Sequence, residues 1–283
     1  MSAYTKTDLR TSTMVITANW GTQIKLNKLF DLLREVIIPI WYPDEGILKF
    51  EHNNMVLGLS HKDIFTNRKI TSKSFFNQST IVLRRMINEE KDEKDEKDEK
   101  NDNQNWKEVN VKLFANGGIQ MTGVTSETFA KNAMDWLLNK FLSLPESPFS
   151  GEPTIQRFSV QLINTDYAIS KFINQDALHK ILINDYNMVS MLEKTIYQGV
   201  NTKFFYNTNN NHSGICRCNR LCKGQGTGDG DGECKRITMS IFRTGRIIIT
   251  GARELTQIRS AYQFLNSIFD QHHAKILYEP NTI

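Results

Sequence analysis

The chain has 283 residues, with 35 lysines and arginines against 31 aspartates and glutamates and a formal charge of +4, long enough for one large domain or two small ones with real cores. No apolar run approaches bilayer length, and the N-terminal MSAYTKTDLR lacks the hydrophobic stretch of a signal peptide, which argues against a membrane-spanning or secreted chain and for an intracellular one. The charge is uneven: Glu89 to Asp102 carries nine acids and four lysines, net −5, so the remainder sums to +9, a mildly basic body that suits a nucleic-acid partner.

In chain order, a strand is predicted near Thr13 to Thr17, followed by Asn27 as the N-cap of an amphipathic helix carrying Leu29, Phe30, Leu32, Leu33 and Val36. Ser79 to Arg85 reads as a strand, and Val109 to Gly123 as a hairpin. Ser126 then caps a helix with the stripe Phe129, Ala130, Ala133, Met134, Leu137 and Phe141. SLPESPFSGEP, from Ser143, holds three of the six prolines and reads as a linker. Beyond it the order repeats. Phe158 to Ile163 is a strand, Asp176 caps a helix with Leu178, Ile181 and Leu182, Gly214 to Cys218 is a strand, Ile237 to Gly251 a hairpin, and a helix from about Glu254 carries Ile258, Ala261, Tyr262, Leu265 and Phe269. Both helical stripes are core, with no function of their own.

The two hairpins are copies. VNVKLFANGGIQMTG and ITMSIFRTGRIIITG place Phe114 on Phe242, Gly117 on Gly245, Ile119 on Ile247, Thr122 on Thr250 and Gly123 on Gly251, the mark of an internal duplication. Period-two alternation in each gives a sheet with one buried face. The polar face ends both times in a phenylalanine, and the parity of Gln120 and Thr122, or Ile248 and Thr250, puts them beside it. A lone surface phenylalanine at a hairpin end is common; one recurring at the same place in both copies points to a contact surface. Further matches run Asn54-Met55-Val56 to Asn187-Met188-Val189, Lys73 to Asn77 against Thr202 to Tyr206, and Leu83-Arg84 against Cys216-Arg217. The organisation is thus a first repeat over 1–145 with an acidic insert at 89–102, a linker at 146–153, a second repeat over 154–275 with a Cys- and Gly-rich insert at 207–235, and a tail at 276–283. Each repeat is a strand, a helix, a sheet segment and a longer helix, an α+β class.

This order, with a segment IFRTGRIIITGAR from Ile241 to Arg253, resembles the TATA-box-binding protein family, and with its inserts the divergent members of large DNA viruses. The resemblance implies a saddle of two pseudo-symmetric repeats: a curved antiparallel sheet, four main helices on the convex face, and a concave face that lies in the minor groove of A·T-rich promoter DNA. It implies that Phe114, Phe242, Phe76 and Phe205 wedge between base steps and kink the duplex. Gln120, Thr122, Ile248 and Thr250 then line the groove floor, and Arg84, Arg217, Arg246 and Arg253 hold phosphates, which sets affinity and salt dependence rather than sequence choice. It further implies partners of the TFIIB-type initiation factor and RNA polymerase class, and residence in the nucleus, a cytoplasmic viral factory or the virion. The family's central asparagine pair falls at Thr13 and near Leu162, with Asn164 close by; Lys112 and Ser240 replace apolar floor residues, and Gly118 stands where the second repeat keeps Arg246. A different reading is a protein-docking module of the same fold that has lost DNA binding.

The two inserts stand apart. KDEKDEKDEK is expected to be a solvated low-complexity segment. The second insert holds all four cysteines, Cys216, Cys218, Cys222 and Cys234, with His212 nearby. Four thiols in so short a span suit a structural zinc, although the C-x-C opening is unlike a common zinc knuckle and Cys216 and Cys218 could instead be core; a disulfide suits an intracellular chain less. The glycine-rich loop lacks the Lys-Ser/Thr ending of a phosphate cradle. No paired carboxylates, Cys–His pair or Ser-His-Asp pattern recommends an enzyme, and no cofactor is required.

Overall fold

A computed structural model describes residues 4–66, 77–87, 106–210 and 213–279. Phe76, the acidic insert, His212 and the last four residues of the tail lie outside them. The chain divides into two compact units, a first one over 14–160 and a second over 161–283 together with the residues before 14. Among the described residues no helix is long and apolar enough to cross a membrane.

The first unit contains β1 (Arg10–Asn19) from Met14 on, α1 (Leu26–Leu32), β2 (Gly46–His52), β3 (Met55–Gly58), α2 (His61–Thr66), β4 (Gln78–Met86), β5 (Trp106–Phe114), β6 (Gly118–Val124) and α3 (Glu127–Leu142). Its strands run β3-β2-β4-β5-β6-β1, antiparallel throughout. The second unit contains β7 (Gln156–Ala168) from Gln161 on, β8 (Phe172–Ile173), α4 (Gln175–Asn184), β9 (Val189–Met191), β10 (Gly199–Tyr206), β11 (Lys235–Phe242), β12 (Arg246–Ala252), α5 (Leu255–Ile276) and β13 (Leu277–Tyr278). Its strands run β7-β12-β11-β10-β9, also antiparallel, and β8 pairs separately with β13. The α+β class and the duplication read from the sequence both hold: strand, helix, sheet, longer helix occurs twice.

In each unit one sheet face is apolar and covered by helices. Val109, Val111 and Leu113 of β5, with Ile119 and Met121 of β6, are buried with Leu29 and Phe30 of α1 and the stripe Ala130, Ala133, Met134, Leu137 and Phe141 of α3. Ile237, Met239, Ile241, Ile247 and Ile249 are buried in the second unit with Leu178 and Leu182 of α4 and Ile258, Ala261, Leu265 and Phe269 of α5. At roughly 1.5–3 kcal/mol per fully buried aliphatic side chain, these faces hold the units together. The side chains between them point to the other face, called the open face below.

The repeated glycines explain why the hairpins match so closely. Gly117 and Gly245 both sit at φ +83° and close tight turns, their N–H groups donating to Phe114 and Phe242 carbonyls at 2.9 and 3.0 Å. Gly123 and Gly251, at φ +89° and +101°, are the extra residues of two equivalent β-bulges, where the register skips from Thr122 to Val124 and from Thr250 to Ala252. A Cβ at Gly123 would lie 2.8 Å from the Glu108 carbonyl, and one at Gly251 3.1 Å from that of Arg236, so the Thr-Gly ending is a backbone requirement of the twist.

Four assignments made from the sequence are corrected. Asn27 lies inside α1, which starts after Lys25. Asn174, not Asp176, caps α4, its side chain accepting from the Ala177 N–H; Ser126 does cap α3 as expected, accepting from Phe129. Residues 214–218 form no strand. The strand register also replaces the three internal matches outside the hairpins: Gln78 and Gly199 are the residues paired with Phe114 and Phe242, so β4 answers β10, Arg84 answers Phe205, and β9 takes the place of β2 rather than β3. Counting loops by composition misplaced these because β3 and α2 have no counterpart among the described residues of the second repeat. The proline-rich segment after α3 is pinned within the first unit: Phe149 is buried edge-on to Trp20, ring centroids 5.2 Å apart, and Ser150 N–H donates to the Gln23 carbonyl.

Candidate nucleic-acid interface

The hairpin register brings the predicted floor residues together on the open face of each unit. In the first, Thr122 faces Asn110 on β5 and Val15 on β1, Gln120 faces Lys112 and Thr17, and half-buried Phe114 follows at the end of β5. In the second, Thr250 faces Thr238 and Asn164, Ile248 faces Ser240 and Asp166, and Phe242 ends β11. Thr250 Oγ1 donates to Asn164 Oδ1. Phe114 and Phe242 therefore stand at equivalent ends of equivalent faces. Ser240, at 5% exposure, contributes little floor area.

Phe242 has an aromatic neighbour that the sequence reading missed. Tyr197, 40% exposed, tilts against it with ring centroids 5.7 Å apart. The gap between them is kept by Gly199, where a Cβ would come 2.9 Å from the tyrosine ring and 3.2 Å from the phenylalanine ring. The missed signal was the glycine itself, at the first position of a strand, where it marks close approach. In the first unit the equivalent residue is Gln78 and Phe114 has no such brace from it.

Basic groups gather along β10 and β11. Lys203 and Arg236 share the open face with Phe205, and Lys203 Nζ donates to Thr238 Oγ1 at 2.9 Å. Burial, then the charge of Arg236, lowers the Lys203 pKa; burial, then Arg253 and Arg236, lowers that of Lys235. Mutual repulsion of this kind is relieved by an anion. Asp166, on the same face of β7, is paired with Arg10 through contacts of 3.1 and 3.2 Å, which cancels its charge. Arg246 and Arg253 are exposed at the two ends of β12. Lys203 was legible as the residue alternating with Phe205, and Arg236 as the residue alternating with Thr238, but both were hidden by the wrong strand match.

Two arginines behave differently. Arg84 is 5% exposed, and its guanidinium donates to the backbone carbonyls of Ile40, Tyr42 and Asp44 while stacking on Trp106 with its centre 5.4 Å from the ring. With its donors turned into the 40–44 loop it is a structural clamp, and the phosphate role expected of it is withdrawn. Arg217 is exposed on the cysteine-bearing loop, not at a strand end. Phe205 also departs from a free wedge. A Cβ at Gly224 would fall 3.0 Å from its ring, so the ring lies along the backbone of that loop. Phe76 lies outside the described residues.

Part of the open face of the first unit is occupied by α2. Asp63 pairs with Lys49 of β2 at 2.7 Å and accepts from Ser60, and His61 contacts Glu108 of β5 at 2.6 Å. Burial acts to raise the Asp63 pKa, but the Lys49 and Ser60 hydrogen bonds outweigh it and hold it at about 2. Away from this site, the four cysteines of the second insert converge, their sulfurs all within 4.8 Å of one another.

No protein-family model matches the chain. A TATA-box-binding protein-like protein of Acanthamoeba polyphaga mimivirus is 25% identical over 293 aligned positions, which span 95% of this chain and 67% of the relative. Over nearly its whole length the chain is therefore similar to a viral TATA-box-binding protein-like protein. Among solved structures, the TBP of Methanococcus jannaschii aligns over 95% of this chain and 99% of its own, with 12% identity and a TM-score of 0.43. Two departures from the TATA-box-binding-protein pattern gain a location. Opposite the repeated threonines stand Val15 and Asn164, so the register offers one asparagine where the family pattern has a pair, and Thr13 and Leu162 lie further along the strands. Gly118 leaves the first unit without the charge that Arg246 supplies to the second. The two open faces are therefore chemically unequal, the second being the more basic and aromatic.

Proposed function

We propose that this TATA-box-binding-protein-like chain acts in transcription initiation by binding promoter DNA in the minor groove with the open faces of its repeats. The carrying observation is the recurrence of Phe114 and Phe242 at register-equivalent ends of those faces, each beside the floor pair Gln120 and Thr122 or Ile248 and Thr250. Aromatic wedges of this kind part base steps and bend the duplex, at a cost of a few kcal/mol per step repaid by wider contact. Phe242, braced by Tyr197, is the stronger wedge. Lys203, Arg236, Arg246 and Arg253 supply phosphate contacts, and Thr250 with Asn164 supplies hydrogen bonding at base edges, where the minor groove separates A·T from G·C but reads little more. An initiation factor of the TFIIB type and RNA polymerase are the partners proposed for surfaces away from the open faces.

The rival proposal is a docking module that binds protein alone. The pairing of α2 with Lys49 and Glu108 favours it for the first unit, since those open-face groups are already engaged. A mobility-shift titration on an A·T-rich duplex at two salt concentrations separates the proposals. Groove binding gives an affinity that falls steeply with salt, because each neutralised phosphate releases counterions. No measurable affinity at the lower salt would leave the docking proposal standing.

A further inference from the structure

The cysteine-bearing insert brings four thiols to one point. Cys216, Cys218 and Cys222 lie on the loop after β10, and Cys234 immediately precedes β11. All four Sγ atoms fall within 4.8 Å of one another, with Cys218 to Cys234 at 3.4 Å and Cys216 to Cys234 at 3.8 Å. A zinc–sulfur bond of about 2.3 Å in a tetrahedron requires sulfurs about 3.8 Å apart. Both separations are well beyond a disulfide bond of about 2.05 Å, all four cysteines are free thiols, and four sulfurs this close enclose one ion rather than a cluster of several.

The surroundings aim donors at the sulfurs. Cys216 Sγ accepts from the Cys218 N–H, and Cys222 Sγ from the N–H groups of Gly224 and Cys234. Asn207, 2% exposed, directs its amide nitrogen at Cys234 Sγ from 3.6 Å while also donating to the Gly230 carbonyl at 2.7 Å. N–H groups turned onto sulfur orient it, the role of an outer shell around a metal. The loop lacks regular structure to hold this arrangement. Its other ties are scattered single hydrogen bonds, among them Phe205 N–H to the Gly214 carbonyl, Thr208 N–H to that of Gly228, Arg236 N–H to that of Gly224, Gly226 N–H to that of Cys234, Asn219 N–H to the Asp231 carboxylate and Gln257 Nε2 to the Thr227 carbonyl.

We propose that Cys216, Cys218, Cys222 and Cys234 bind one zinc ion as a closed tetrathiolate site, which fixes the 213–234 loop against the end of β10 and β11. Binding displaces the thiol protons to solvent and leaves no open coordination position, so the role is structural. Its consequence for the open face is local. Gly224, two residues from a ligand, backs the Phe205 ring and bonds Arg236, so the ion sets the position of both. The inference is independent of DNA binding.

The test uses the full chain, purified without chelators from cells grown with zinc, and elemental analysis of it. About one zinc per chain is expected, falling at least tenfold in Cys222→Ser. Chelation should lower the melting temperature and expose four reactive thiols. Cobalt added to the chelated protein should give the visible bands and sulfur-to-metal charge transfer of a tetrahedral thiolate site, a readout that does not depend on any variant folding. Less than a tenth of an ion per folded chain with four thiols freely reactive, an intact mass lower by two or four hydrogens from disulfides, or an iron chromophore in place of zinc would each overturn the proposal.

Discussion

Phe242→Ala is expected to weaken binding to an A·T-rich duplex by one to two orders of magnitude, the equivalent of about 1–3 kcal/mol for one lost ring–base contact, with the melting temperature nearly unchanged. The ring is half-buried at the end of β11, and its packing partner is Tyr197 rather than the helix-covered core. Truncating it removes little that holds the unit together. Tyr197→Ala should weaken binding too, and less, because it loses the brace and leaves the wedge. Tyr197→Phe should be almost neutral. If Phe242→Ala and Tyr197→Ala bind as tightly as the parent chain, the aromatic pair is not the contact surface. Phe114→Ala is predicted to have the smaller effect of the two phenylalanine variants, since Gln78 stands where the second unit has Gly199 and the first unit has no basic residue at Gly118.

Arg84→Ala and Arg246→Ala should separate stability from DNA contact. Arg84 is a buried cation whose donors meet the carbonyls of Ile40, Tyr42 and Asp44. Removing it strands buried acceptors, and hydrogen bonds made by a charged group are worth about 1.5–3 kcal/mol each. A loss of about 3 kcal/mol in denaturant unfolding is expected, with the salt slope of DNA binding unchanged for the folded fraction. Arg246 is exposed at the start of β12, where truncation costs almost no stability. Its loss should weaken binding evenly across sequences and reduce the salt slope by about one. The opposite pattern, with Arg84→Ala stable and shallow in salt, would restore Arg84 to the phosphate contacts.

Much of the architecture was legible because each hairpin states its own geometry. Alternation from Val109 to Leu113 and from Ile237 to Ile241 fixed the buried face, and parity then fixed Phe114, Thr122, Phe242 and Thr250 on the other. The glycines that close the turns and form the bulges sit at positive φ, so their recurrence at a constant shift reported backbone shape directly. What failed was pairing beyond the hairpin. The double phenylalanines Phe75-Phe76 and Phe204-Phe205 look alike in composition, yet Phe204 and Phe205 lie inside β10, with Phe204 in the core and Phe205 paired with Arg236. Strand register depends on partners far away in sequence, and only the hairpins carry that information locally.

Arg84 shows the same limit from another side. A strand-end arginine followed by a second arginine reads as exposed charge, because burying a guanidinium is costly unless its donors are met. They are met here by three carbonyls of the 40–44 loop, forty residues away and without any sequence signature. Tyr197 was missed because the strand it precedes, β10, was not read there, a strand being expected at Gly214 to Cys218 instead. The cysteines were the reverse case. Their spacing looked irregular, and only folding shows that the loop returns Cys234 to the other three.

The central claim, that paired aromatic wedges on register-equivalent faces pry open a minor groove, is tested most directly by DNA bending. The measurement is energy transfer between dyes at the two ends of an A·T-rich duplex, titrated to saturation. The parent chain should shorten the end-to-end distance, and Phe114→Ala/Phe242→Ala, driven to saturation at higher protein concentration, should leave the duplex straight. A saturated parent complex with an unbent duplex, or a double variant that bends it as fully as the parent, would contradict the account.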